Sequence, residues 1–82
     1  MSTSLEWALE TILDELDTIL DEKDNARGIV RTEVARLAGR KAMEAKVRDV
    51  LQNEEAAKAL QAAGVEQVRA AVRRMYESKA FN

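Results

Sequence analysis

The sequence predicts an all-α protein, a compact bundle of four to five short helices, and three observations support that class. The 82 residues include no proline, helix-forming residue types dominate, and β-branched residues rarely alternate with polar ones. This length suffices for one domain, which we expect to span residues 1–82. Because alanine accounts for 14 residues, the core depends on few larger aliphatic side chains, and self-association would help to stabilise it.

The first predicted helix has the most regular pattern. Thr3 and Glu6 match a capping box at its start, and we expect the helix to end near Glu22. Its apolar residues follow a 4-3-4-3 spacing that places them on one face, with Leu13 and Leu20 beside them. The members of this leucine stripe are Leu5, Leu9, Ile12, Leu16 and Ile19.

The opposite face of this helix is the candidate partner-binding surface. At about 100° per residue, four acidic residues and the single tryptophan point away from the leucine stripe. An exposed tryptophan rimmed by carboxylates is typical of a protein-binding hot spot. The candidate residues are Trp7, Glu10, Asp14, Asp17 and Asp21. The alternative interpretation is that Trp7 folds back onto the edge of the bundle.

A second helix is expected to begin near Asp24 or Asn25, but its apolar residues change face along its length. Before Gly39 they are Ala26, Val30, Val34 and Leu37, and after it they are Met43, Val47, Val50 and Leu51. On a helical wheel the two sets differ by roughly 110–120°. We expect a kink or break near Gly39, where glycine weakens a helix by about 1 kcal/mol relative to alanine. The competing interpretation is one continuous helix packed on both sides.

Two further helices are predicted towards the C-terminus. Asn53 followed by two glutamates is typical of a helix start, and Gly64 is typical of a helix end. A final amphipathic helix is expected from Val65 to about Lys79, with charges spaced for ion pairs inside the helix. The expected pairs are Arg69 with Glu66, Arg73 with Glu77, and Arg74 with Glu77.

Charge is separated along the chain. Residues 1–25 carry eight acids and one base, a net charge of −7; residues 26–50 carry seven bases and three acids, a net charge of +4. One interpretation is that the acidic first helix packs antiparallel to the basic second one and the charges pair internally. On the wheel, such pairing reaches only the acids beside the leucine stripe, Glu6, Glu15 and Glu22. Asp14, Asp17 and Asp21 would then remain for a partner.

Several kinds of chemistry are disfavoured by composition. The chain contains neither histidine nor cysteine, so the commonest general base, the cysteine nucleophile and imidazole metal ligands are missing. Its three glycines are isolated, without a phosphate-binding pattern, and residues 21–33 lack the ligands of a calcium loop. We therefore expect no enzyme, catalytic residue, metal, cofactor or small-molecule substrate. We also expect a cytoplasmic protein without membrane contact, because no apolar run approaches a membrane span and the segment MSTSLEW is unlike a signal peptide.

The basic central segment suggests an alternative, a DNA- or RNA-binding helical protein. The residues EVARLAG at Glu33–Gly39 resemble the segment that leads into the turn of helix-turn-helix repressors, although Arg40 stands where that pattern needs an apolar residue. The candidate phosphate-binding residues are Arg36, Arg40, Lys41 and Lys46. Overall acidity and the absence of interleaved aromatic residues favour a different function. That function is a small protein-interaction module, a regulator or inhibitor that binds a larger protein and forms a homodimer.

Overall fold

The computed structural model describes residues 3–81, which form four helices and no strand. The predicted all-α bundle is confirmed. The bundle measures 39 × 23 × 22 Å. In chain order the helices are α1 (Ser4–Arg27), α2 (Glu33–Leu51), α3 (Glu54–Ala63) and α4 (Val65–Glu77).

The N-cap of α1 at Thr3 and the leucine stripe are as predicted. The Thr3 hydroxyl oxygen accepts a hydrogen bond from the Glu6 amide at 3.0 Å, which satisfies one of the unpaired donors of the first turn. Leu9, Ile12, Leu16 and Ile19 are buried, together with Leu13, while Leu5 is half-buried against them. The 4-3-4-3 spacing therefore marks the core face of α1.

The end of α1 differs from the prediction. The helix continues to Arg27, so Asp24 and Asn25 lie inside it and do not start a second helix. The stop is Gly28, whose φ of +72° is left-handed and whose amide donates to the Asn25 carbonyl. The next amide, of Ile29, donates to the Asp24 carbonyl at 2.9 Å. This pair of bonds is a Schellman motif, which glycine favours because it lacks a Cβ.

The predicted break near Gly39 is wrong, because α2 runs uninterrupted from Glu33 to Leu51. Val47 and Leu51 in its second half are buried, whereas Val34 and Leu37 in its first half are exposed. The second predicted stripe therefore packs on the rest of the domain, whereas the part of the first stripe that lies on α2 does not. The competing interpretation is right that the helix is continuous across Gly39, but its packing on both sides is wrong.

The last two helices follow the predicted boundaries closely. The Asn53 side-chain oxygen accepts from the Ala56 amide at 2.9 Å at the start of α3, and Gly64 separates α3 from α4. Beyond α4 the chain turns back so that Phe81 is buried in the core.

The core is centred on α1, which contacts each of the other three helices. Besides the leucine stripe, it contains Val47, Leu51, Ala57, Val68, Val72 and Phe81. Within residues 3–81, none of the helices is both long and apolar enough to cross a bilayer.

Replacing Gly39 by alanine is expected to stabilise the domain by about 0.5–1 kcal/mol, because alanine is the better residue inside a helix. A Cβ at Gly39 would meet only the Arg31 side chain, at 4.0 Å. Urea denaturation measures the change. The matched control is Gly28→Ala, which is expected to destabilise because a side chain at φ +72° is strained. Destabilisation by Gly39→Ala would indicate that α2 does bend at this position.

Candidate functional site

The aspartates proposed as a partner-binding row are paired with arginines of α2. Arg40 bridges the carboxylates of Asp14, at 3.1 Å, and Asp17, and the Arg36 guanidinium lies 3.1 Å from Asp21. The prediction that α2 cannot reach these three carboxylates is wrong. The long arginine side chains extend around the helix surface, so α2 pairs with the aspartate row and not with the glutamates beside the leucine stripe.

Arg40 stays cationic in this arrangement. Partial burial alone would lower its pKa, but hydrogen bonds and Coulombic attraction from Asp17 and Asp14 more than compensate and raise the pKa above the usual value for arginine. The first half of α2 is thus held against α1 by charge, while the second half is held by apolar packing.

The loop between these two helices is closed by a further ion pair. The Arg31 Nε lies 2.7 Å from the Asp24 carboxylate, which is buried near the end of α1. This contact fixes the extended segment that leads into α2.

Two of the glutamates expected to face α2 pair instead with Arg73 of α4. The Arg73 guanidinium donates to Glu22 at 3.0 and 3.1 Å and to Glu15 at 3.3 Å. The expected pair between Arg73 and Glu77 within α4 is wrong, whereas Arg69 does lie 3.9 Å from Glu66. The Glu15 side chain is only 7% exposed, and its Oε2 atom has no hydrogen-bond partner among the described residues.

This cluster predicts a pH-dependent stability. The hydrogen bond from Arg73 lowers the pKa of Glu22 below its ordinary value of 4.5, and the same hydrogen bond raises the pKa of Arg73. Because Glu22 has a lower pKa when folded, it stabilises the fold above pH 4.5 and stops doing so as the pH falls through the folded-state pKa. Glu22→Gln is therefore expected to be less stable than the wild type at pH 7, and the difference should vanish in acid.

Urea denaturation of both proteins between pH 7 and pH 3 measures this difference. The control is Glu77→Gln, since Glu77 makes no ion pair within residues 3–81 and should change stability little at any pH. An equal loss in the two variants at pH 7 would contradict the assignment of Arg73 to Glu22.

Trp7 does not stand out from the acidic face as predicted. Its side chain is half-buried and packs against the core cluster. The alternative interpretation, that Trp7 folds onto the edge of the bundle, is therefore the one observed. The large indole reaches the core from a helix position that the wheel places far from the leucine stripe. Of the proposed acidic row, Glu10 remains exposed and makes no ion pair within the described part of the chain.

The candidate nucleic-acid-binding residues are divided between two environments. Arg36 and Arg40 are occupied by the aspartates of α1, whereas Lys41 and Lys46 are exposed without an ion-pair partner among residues 3–81. The structure therefore does not gather the four cations into one open basic surface.

The exposed apolar surface lies where the sequence predicted a core stripe. Val30 is 94% exposed, Val34 is 78% exposed and Leu37 is 60% exposed. These three residues are here called the α2 ridge, although Val30 lies in the loop before α2. They are joined by Ile29 in the same loop, which is 45% exposed. Apolar periodicity identified the ridge but not its environment. The sequence signal for the exposure of the ridge is the spacing of Arg36 and Arg40, which matches that of the aspartates on α1. Because the arginines pair with these aspartates, the ridge faces outward.

A groove of about 600 Å³ runs beside the ridge, between α1 and α2. Leu37 forms one edge, and the apolar part of the lining is completed by Leu9 and Leu13 from α1. Its charged lining residues are Glu6, Glu10, Arg40, Lys41, Glu44 and Arg48. An apolar strip bordered by charges of both signs is suited to contact with another protein.

Among residues 3–81, no group of three or more acidic, histidine or cysteine side chains converges to hold a metal ion. Comparison with protein-family models, with curated proteins and with solved structures finds no match to this chain.

Proposed function

We propose that this chain is a non-enzymatic protein-interaction module that binds the apolar surface of another protein through the α2 ridge and the adjoining groove. The observation that carries the proposal is the exposure of Val34 and Leu37, one turn apart on α2, together with that of Val30 in the loop just before the helix. Large apolar side chains scattered singly on a surface need no explanation, but a contiguous strip rimmed by polar residues is typical of an interaction site.

The attachment of α2 supports the same proposal. The first half of this helix is fixed by Arg36 and Arg40 on α1, and the ion pair of Arg31 fixes the loop before it. A strip held in place before binding loses less conformational entropy when a partner docks than a mobile one does. The arginines thus both neutralise the acidic face and orient the ridge.

Site-specific photocrosslinking in the cells that naturally produce this protein tests this function. A photoreactive phenylalanine derivative at Val34 is expected to form a covalent adduct with a protein, whether another copy of this chain or a different polypeptide. The matched control carries the same group at Gln67, an exposed position on α4 away from the ridge. The absence of an adduct at Val34, or equal adducts at both positions, would contradict the proposal.

A further inference from the structure

The charges that flank the ridge are arranged symmetrically about Leu37. Glu33 precedes Leu37 by four residues and Lys41 follows it by four, so all three lie on one row along the surface of α2. At 1.5 Å per residue, the acid and the base each lie about 6 Å from Leu37 along the helix axis. Neither makes an ion pair within residues 3–81, and all three side chains are exposed.

This arrangement is complementary to itself. If two copies of α2 pack antiparallel about a two-fold axis at Leu37, each Glu33 lies at the level of Lys41 of the second copy, and the two leucines face each other. A parallel pair would instead place acid against acid and base against base. Two-fold symmetric dimers bring the same patch of both subunits together, which requires such a pattern of opposite charges.

The groove beside the ridge suits the same geometry. In the antiparallel pair, Val34 of the second copy, three residues before Leu37, lies at the level of Arg40, which lines the groove together with Leu37. The exposed Val34 side chain of one copy is thereby brought to the edge of the groove that Leu9 and Leu13 of the other copy line.

We infer that the protein that occupies the α2 ridge is a second copy of this chain, packed antiparallel about Leu37 with Glu33 opposite Lys41. The inference rests on the proposed function and specifies its partner. Each dimer contains two such ion pairs at the edges of an apolar strip, where charge pairs select orientation and partner more than they add affinity.

Sedimentation equilibrium at low ionic strength tests the inference with charge-reversal variants. The wild type is expected to approach twice its 9.2 kDa mass as the concentration rises. Glu33→Lys and Lys41→Glu each turn two attractive pairs into two repulsive ones, so each variant alone is expected to dimerise about tenfold more weakly. An equimolar mixture of the two variants restores both attractive pairs, and it should associate as a heterodimer about as strongly as the wild type.

A third variant, Leu37→Glu, is expected to be a folded monomer, since Leu37 contributes little to the core and circular dichroism can verify the fold. The inference is overturned by a wild type that stays at 9.2 kDa, by single variants that dimerise as the wild type does, or by a mixture no better than its components. A monomeric wild type that still crosslinks to a different protein through Val34 would overturn the inference that the partner is a second copy, but not the proposed function. The absence of both self-association and crosslinking would overturn the proposed function as well.

Discussion

Replacing Leu16 by alanine is expected to lower the free energy of unfolding by about 2–5 kcal/mol, as measured by urea denaturation. Leu16 is 1% exposed and lies at the centre of the leucine stripe of α1, the helix that contacts all the others. Its truncation removes apolar contacts and leaves a cavity that the surrounding helices cannot fill. Since a domain of this size has a free energy of unfolding of about 5–10 kcal/mol, the variant loses a large part of it.

The matched control is the same substitution at Leu37. Because Leu37 is 60% exposed, Leu37→Ala is expected to change stability by no more than about 0.5 kcal/mol when the protein is dilute enough to be monomeric. A loss at Leu37 as large as that at Leu16 would mean that the ridge is buried within one copy. The contact surface assigned to α2 would then not exist.

Replacing Arg73 by methionine is expected to give the largest loss of stability among the charged residues. Arg73 provides the ion pair of Glu15, a side chain almost removed from solvent. Without Arg73, this carboxylate is left buried without a compensating charge, which costs far more than the loss of a surface ion pair. We expect the decrease in urea midpoint to be several times that of Arg69→Met, whose partner Glu66 is exposed.

A double variant distinguishes the cost of leaving a buried carboxylate unpaired from the cost of losing the packing of the Arg73 side chain. When Glu15 and Arg73 are both replaced by methionine, no carboxylate remains unpaired, so the double variant should be more stable than Arg73→Met alone. A double variant that loses as much as the two single variants added together would show that Glu15 and Arg73 act independently. The assignment of this ion pair would then be wrong.

The helices with local signals in the sequence were the ones that could be predicted. The N-cap at Thr3, the spacing of the leucine stripe and the cap at Asn53 each depend on residues within one or two turns, and the structure has all three features. Gly28 carried an equally local signal for the end of α1. Asp24 and Asn25, which are good capping residues, come just before it and favour a helix start at the same place.

The environment of α2 could not be predicted from its own residues. Periodicity showed two apolar stripes on different faces, but it does not show which of them meets another helix. A break at Gly39 would allow both stripes to be buried. The structure leaves Val34 and Leu37 exposed instead and keeps the helix uninterrupted.

The structure places the candidate site residues differently from the helical wheel, because the wheel takes no account of side-chain length and size. The wheel placed Asp14 and Asp17 too far from a helix on the leucine stripe, yet Arg40 reaches both carboxylates. It likewise placed Trp7 in solvent, yet the indole is large enough to pack on the core from the edge of α1. A helical wheel records the direction in which a side chain leaves the backbone, not how far it extends.

The proposed function depends on the claim that the α2 ridge is open in a single copy, and thiol labelling tests it. The chain contains no cysteine, so single cysteines at Val34 and at the fully buried Val47 report only their own accessibility. At dilutions where the protein is monomeric, Val34→Cys is expected to react with a thiol reagent nearly as fast as in the unfolded chain, whereas Val47→Cys should be strongly protected. Equal protection of the two positions in the folded monomer would contradict the claim.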